Sequence, residues 1–245
     1  MKRKMTSLLK KGKSLDEISK ITGLGKTTIY YHYRKYYKKK TKPVRISRND
    51  SELLGEFLGV IAGDGYINVD KTYHHRVRIF LNISEEEYAS KLTEMITNFL
   101  GKPPHRYVHL KGNCIQLSIL SREVCNLIRE YLDWESKGHR SKSRSVKLKK
   151  IESDDKFKIG FLRGCVDTDG YINKNRIQFS TASKGLCDNT ENFLRSLGIS
   201  FSTYTYQDRR PNRSVMYLTS IRSISRERFL QLISPRNIAN APVGI

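Results

Sequence analysis

The chain has 245 residues, with 46 Lys and Arg against 24 Asp and Glu, a formal charge of +22. That length supports one core of ordinary size plus something small, and a charge excess well beyond what solubility asks for points to a polyanion, of which nucleic acid is the commonest. A basic protein with its charge in low-complexity tails is set aside, because 38% of the residues are hydrophobic and periodic segments run throughout.

The chain opens on MKRKMTSLLKKGK, basic and without the apolar stretch of a signal peptide. SLDEISKITGLGKTTIYYHYRKYYKKK then reads as two short helices around a tight turn. Ser14 with Glu17 three residues on forms a capping box, Leu15, Ile18 and Ile21 form the buried stripe, and Gly23 breaks the helix. Thr27 or Thr28 opens the second helix, which turns Ile29 inward. Ser19, Gly23 and Ile29 have the spacing of the helix-turn-helix motif, which this stretch resembles: a small residue where helices cross, a glycine in the turn, an aliphatic to pack the second helix. The resemblance implies that residues 1–40 are a DNA-binding domain presenting Lys26, Thr27, Thr28, Tyr30, Tyr31 and Arg34 to the major groove, with Lys38 to Lys40 extending toward phosphates. The alternative is a three-helix mini-domain that binds protein. Residues 41–49, with Pro43 and no periodicity, read as a linker.

GEFLGVIAGDGYI (55–67) follows, and GFLRGCVDTDGYI (160–172) repeats it 105 residues later. Small residues recur every fourth position in each, Gly55, Gly59, Gly63 and Gly160, Gly164, Thr168, with apolar residues between and Asp-Gly-Tyr-Ile at the end. A glycine inside a helix costs ~1 kcal/mol relative to alanine, so a row of them needs a reason. A small-residue face lets two backbones approach closely, as in membrane helix pairs. The two helices are therefore expected to pack on each other about a pseudo-two-fold axis and to bring Asp64 and Asp169 together at its base. One Asp-Gly only starts a turn; two of them behind such faces make a carboxylate pair, and a hard divalent cation is its natural partner.

After each opening helix the same order returns. The first copy (50–135) has a hairpin ending RVRIFLNIS, a helix with Tyr88, Leu92, Met95, Ile96 and Phe99 on one side and Gly101 at its end, strands HRYVHLK and NCIQLSIL, and the helix SREVCNLIREYL. The second (153–245) has YINKNRIQFSTAS, a helix ending at Gly198, strands ISFSTYTYQ and RSVMYLTS, and SRERFLQLI. The basic segment 136–152 joins them. Fold class is α+β, two αββαββα repeats behind a small all-α domain. The cysteines Cys114, Cys125, Cys165 and Cys187 show no zinc spacing and read as reduced thiols. With no apolar run near the ~20 residues of a membrane span, the expectation is a cytoplasmic, nucleoid-associated protein.

Leu162–Gly170 (LRGCVDTDG) and Phe57–Gly65 (FLGVIAGDG) resemble the LAGLIDADG motif of the homing endonucleases, with Ala62 at the first acidic position of copy one. The resemblance covers residues 50 to about 240. It implies a monomer of the two-motif kind, free-standing rather than an intein, that cuts both strands of a long asymmetric DNA site across the minor groove. Asp64 and Asp169, with the carbonyls of Gly63 and Thr168, would hold two or three Mg²⁺ ions. Polar or basic residues that order water would include Lys184 after the second strand of copy two, matched in copy one by Glu85, an acid. Lys137 and Arg236 are further basic candidates. Each half would lay a four-stranded sheet into the major groove, using Arg76, Arg78, Asn82, Gln116 and Ser118 in copy one and Arg176, Gln178, Ser180, Tyr204 and Tyr206 in copy two. The in/out alternation does not transfer between the second strands of the two copies at the 105-residue offset. The other readings are a DNA-binding regulator on the same fold without cleavage, and a maturase whose partner is intron RNA.

Overall fold

The computed structural model describes residues 2–37, 44–69, 74–135, 141–207 and 214–237, and the chain divides into two compact units, 1–43 and 44–245. The first unit holds α1 (Lys2–Lys10), α2 (Leu15–Thr22) and α3 (Lys26–Tyr37). Ser14 and Glu17 make the reciprocal cap, and Gly23 ends α2 at φ 69°. A helix absent from the sequence reading, α1, lends Met5 and Leu9 to a small core with Ile18 and Ile29. Ile21 is a correction: it is 46% exposed, because α1 covers the side of α2 that Leu15 and Ile18 share rather than the next turn.

The second unit begins with an extended stretch that is shorter as a linker than expected. Arg45 N–H and Ser47 N–H donate to the carbonyls of Leu100 and Phe99. The chain then runs α4 (Ser51–Gly63), β1 (Gly65–Val69), β2 (His75–Asn82), α5 (Glu86–Leu100), β3 (His105–His109), β4 (Cys114–Leu120) and α6 (Arg122–Tyr131). Between the repeats come β5 (Leu132–Asp133), the five-residue α7 (Ser141–Ser145) and β6 (Lys147–Leu148). The second repeat is α8 (Asp155–Asp169), β7 (Gly170–Ile172), β8 (Ile177–Thr181), α9 (Lys184–Ser196), β9 (Phe201–Gln207), β10 (Val215–Ile221) and α10 (Arg226–Ile233). This is the αββαββα order twice, with two antiparallel sheets ordered β1-β2-β4-β3 and β7-β8-β10-β9.

The two halves share one core, in which Phe57, Phe99, Phe157, Phe161 and Phe193 stack edge to face and tilted at the α4–α8 crossing. There the small-residue faces meet. A Cβ on Gly55 would lie 2.1 Å from the Phe157 carbonyl oxygen, on Gly59 2.3 Å from that of Phe161, on Gly160 2.0 Å from that of Glu52 and on Gly164 2.4 Å from that of Glu56. Only a residue without a side chain lets these backbones pass, and close approach of carbonyls to glycine Cα–H groups returns part of the propensity cost.

The residues between the glycines are not all apolar. Glu56 (1% exposed) and Arg163 (7%) face each other inside the crossing, Arg163 Nη1 donating to Glu56 Oε2 at 3.0 Å. Arg163 Nε donates to the Ile233 carbonyl at 2.6 Å, and Arg236 Nη2 donates to Glu56 Oε2 at 3.0 Å. A buried charge is tolerable only with such partners, and this set ties the segment after α10 to both motif helices.

The alternation question has a simple geometric answer. Gly65 pairs with Ile79, fourteen residues on, but Gly170 pairs with Phe179, nine residues on. The second hairpin is five residues shorter, so the second strands correspond at an offset of 100 rather than 105. An even offset keeps the in/out pattern; an odd one inverts it.

Candidate active site

Both motifs end the same way. Asp64 caps α4 and Asp169 is the last residue of α8, each immediately before a Gly that opens the next strand. Those glycines fold the chain back on the helix: a Cβ on Gly65 would lie 2.6 Å from Ile61 Cα, and on Gly170 2.1 Å from the Val166 carbonyl oxygen. Tyr66 and Tyr171 then point outward, half exposed, while Ile172 is buried. Because α4 and α8 cross along their glycines, their ends meet. Thr168 Oγ1 and Asp169 Oδ2 stand where a Cβ on Gly63 would be, at 2.1 and 3.0 Å. The Thr168 hydroxyl donates back to the Gly164 and Cys165 carbonyls.

The two carboxylates stand at the meeting of the helix ends, Asp64 half-buried and Asp169 exposed. Burial, then the charge of Asp169, then that of Glu85 push the Asp64 carboxyl up to about 7, with Lys142 pulling the other way. Asp169 is exposed at the mouth of a cavity, and the protein packed around it lifts its carboxyl to about 6 against the pull of Lys142. The cavity, of 340 Å³, is lined by Gly63, Asp169, Ser143, Ser180, Tyr206 and Met216, so the floor with the acid and the outer face of the second sheet share one opening.

Lys142 stands at this candidate site, and the sequence did not single it out. It sits on α7 in the basic inter-repeat segment, and its Nζ donates to the carbonyls of Gly63 (2.6 Å) and Gly65 (2.7 Å). Burial draws its ammonium down to about 8, although both motif acids resist. The basic composition of 136–152 was visible, but no periodicity singles out one lysine in it.

The other basic candidates fall elsewhere. Lys137 lies outside the described residues. Lys184, first in α9, is exposed and pairs with Asp188 one turn on, with its ammonium over the Tyr217 ring. Arg236, the other basic candidate, has its guanidinium bound to buried Glu56. Glu85 is doubly held: Oε2 accepts from Asn82 N–H at 2.8 Å and Oε1 from Asn237 Nδ2 at 2.9 Å.

The candidate base-reading residues lie on the outer faces of the sheets, save that Ser118, on that face by register, is buried at 6% exposed. Arg78 opposes Ser118 and Tyr66, Phe80 opposes Gln116, and Gln116 opposes Tyr107, so Arg76, Arg78, Asn82, Gln116 and Ser118 share one face while Val77, Ile79 and Leu81 fill the core. The Asn82 side chain also accepts from Ser84 N–H in the turn after β2. In the second sheet Gln178, Ser180, Tyr204 and Tyr206 share a face, and Arg176 precedes β8, its N–H bound to Asn173 Oδ1. In the first unit Thr27, Thr28, Tyr30, Tyr31 (70% exposed) and Arg34 are exposed on α3, Arg34 over the Tyr30 ring, and Lys26 pairs with Asp16.

The donors at the helix ends are all hard oxygens, two carboxylates and backbone carbonyls, which fits a divalent cation such as Mg²⁺. Among the described residues no three His, Cys, Asp or Glu side chains cluster to hold a metal ion by themselves, so such a cation would take its remaining ligands from carbonyls, water or phosphate.

Residues 156–234 match the LAGLIDADG-like domain family. An uncharacterized protein of Methanocaldococcus jannaschii is 24% identical over 174 residues, 68% of this chain and 62% of that protein, so the chain spans less than two thirds of that relative's length. Among solved structures, mesophilic variants of the homing endonuclease I-DmoI superpose with a TM-score of 0.57 at 18% identity, over 76% of this chain and 97% of theirs. The N-terminal LAGLIDADG domain of WhiA gives 0.51 at 16% identity, over 75% and 81%. The homing endonuclease I-WcaI bound to its DNA recognition sequence gives 0.50 at 14%, over 93% and 98%. No helix among the described residues is long and apolar enough to cross a membrane.

Proposed function

From a chain that carries a LAGLIDADG-like domain at 156–234 within a two-repeat LAGLIDADG fold, we propose a site-specific, divalent-metal-dependent DNA endonuclease acting as a monomer. The observation that carries this reading is the pair Asp64 and Asp169 at adjoining helix ends, with Lys142 against the Gly63 and Gly65 carbonyls. Structures of I-DmoI with DNA and Ca, and with target DNA and Mg, lend support for metal and substrate.

The residues divide the work as follows. The outer faces of the two sheets, with Arg76, Arg78 and Gln116 on one side and Gln178, Tyr204 and Tyr206 on the other, hold DNA through base edges and phosphates. The acid pair, costly to ionise together, binds cations at the scissile phosphates. When bound, such an ion activates water and neutralises charge on the reacting phosphate. Lys142 brings a preplaced positive charge to the same point, and its lowered affinity for its proton suits it to orient or deprotonate water. Lys142→Met is expected to slow cleavage about 100-fold with DNA affinity little changed, read from single-turnover rates; an unchanged rate removes Lys142 from the machinery.

A DNA-binding regulator is the second reading, favoured by the N-terminal helical unit and by the likeness to WhiA. Against it stand both motif acids and the lysine between them. The comparisons lend no support to an RNA partner. The first unit is proposed to bind DNA through α3, as a helix-turn-helix would. Removing residues 1–43 is then expected to weaken binding and lower the slope of log affinity against log salt by roughly one per lost phosphate contact; an unchanged slope leaves that unit without a DNA role.

The deciding experiment incubates purified protein with Mg²⁺ and a plasmid library of genomic and randomised sequence, then sequences the new ends. Recurrent breaks at one long site, absent with Asp169→Asn, establish the endonuclease. Enrichment of bound sequences without breaks establishes the regulator.

A further inference from the structure

The outer faces of the two sheets differ in charge. On the first, Arg78 stands between Tyr66 and Ser118, and Arg76 between Asn68 and Leu120. The edge strand β3 adds His105 beside Ser118 and Tyr107 beside Gln116, and a hollow of 350 Å³ opens among Arg76, His105, Tyr107 and Gln116. On the second, Gln178 stands between Tyr171 and Ser220, and Ser180 beside Leu218. Leu218 and Met216 then face Tyr204 and Tyr206. Among the described residues no strand position on this second face carries a charge; Arg176 comes before β8, in the turn where Asn173 holds its N–H. Both faces have apolar members, Phe80 and Leu120 on the first, so the contrast lies in the two guanidiniums.

That contrast has a meaning in the major groove. An arginine fork matches the O6 and N7 acceptors of guanine, glutamine matches adenine, and an apolar side chain meets the C5 methyl of thymine. A face without a cation is left with the last two. Leu218 and Met216 sit half-buried on β10, an interior strand of the second sheet. Phosphate oxygens give such side chains nothing, whereas a thymine methyl is an apolar group that the base edges do present. Met216 and Tyr206 also line the cavity that reaches Asp169, so this face runs on into the acid pair.

Taking the protein as the site-specific endonuclease proposed above, we infer that its target joins two unlike half-sites. One is held by the first sheet and fixed at guanines by Arg76 and Arg78. The other is held by the second sheet and fixed at A·T pairs, with Gln178 on adenine and Leu218 and Met216 on thymine methyls.

The probe is randomised duplex DNA, selected by binding to the full chain in EDTA, so that nothing is cut, and then sequenced. Selection with the variant carrying Arg76→Ala and Arg78→Ala assigns the half whose pattern relaxes to the first sheet. The expected motif has G·C pairs enriched in that half and A·T pairs in the other. On the selected site, deoxyuridine for thymidine in the A·T half removes only methyl groups. It is expected to weaken binding about fourfold for each methyl contacted, the worth of one buried methylene. In the variant carrying Leu218→Ala and Met216→Ala the same exchange changes nothing. A guanine analogue lacking the N7 acceptor, placed in the first half, weakens binding at least about fivefold in the wild type and not in the arginine variant.

G·C pairs dominating both halves overturn the inference. So does uracil bound as well as thymine, a guanine analogue bound as well as guanine, or a loss on either exchange that persists when the facing side chains are gone. Both exchanges are made on the DNA, so they decide the matter even where a variant does not fold. Should no duplex sequence be enriched at all, it is the site-specific reading that falls, and the half-sites with it.

Discussion

Asp64→Asn and Asp169→Asn each abolish double-strand cleavage, lowering it by at least about 1,000-fold, while DNA affinity is held or slightly raised. The size follows from what the carboxylates do in the proposed chemistry: each removes a negative ligand from an ion that must neutralise the reacting phosphate, and such electrostatic contributions are the largest available in a hydrolysis of this kind. Binding survives because the sheets, not the acids, hold the DNA. Removing one of two mutually repelling charges also lessens repulsion of phosphate. The fold survives because Asp64 caps α4 through its backbone N–H to the Val60 carbonyl, which Asn keeps. Plasmid linearisation and gel-shift affinity check the two halves of this prediction. Cutting by the variant lacking both acids places the chemistry elsewhere, and joint loss of cutting and binding makes the pair structural.

Gly164→Ala is expected to cost about 3 kcal/mol or more and to lower Tm by roughly 6–12 °C. The new Cβ meets the backbone of α4, 2.4 Å from the Glu56 carbonyl oxygen and 2.6 Å from Val60 N. Backbone cannot swing aside as a side-chain end can, so the helices must separate and the crossing that brings Asp64 to Asp169 opens. Gly112→Ala is the control within the same unit, since its nearest neighbour is His109 Cβ at 3.8 Å, and its change should stay within about 0.5 kcal/mol. Calorimetry of both variants suffices. If Gly164→Ala melts with the wild type, close backbone approach is not why glycine stands there.

Some of this protein was legible in its sequence. The small residues at every fourth position, the Asp-Gly-Tyr-Ile endings and the two αββαββα orders could be read because each is a local rule. A helix face is fixed by a spacing of about four, a strand face by a spacing of two, and a chain reversal by a glycine. Duplication turned those local rules into a long-range one, since two matching faces in one chain have each other to pack on. The outer faces of the sheets were readable for the same reason, once strand parity was known.

Tertiary structure alone decided the rest. Lys142 comes from a segment without periodicity, and nothing local says which of its basic residues reaches the Gly63 and Gly65 carbonyls. Glu56 and Arg163 occupy positions that a hydrophobic pattern would fill with apolar side chains, and they are admissible there only because Arg236 and the Ile233 carbonyl arrive from the far end of the chain. The parity of the second strands turned on a hairpin five residues shorter, visible only as register. Asn237 and Glu85 lie 152 residues apart and meet because both halves fold onto one crossing. Spacing fixes what a segment does with its own neighbours; which distant charge completes a buried or catalytic group is settled by the fold that carries them together.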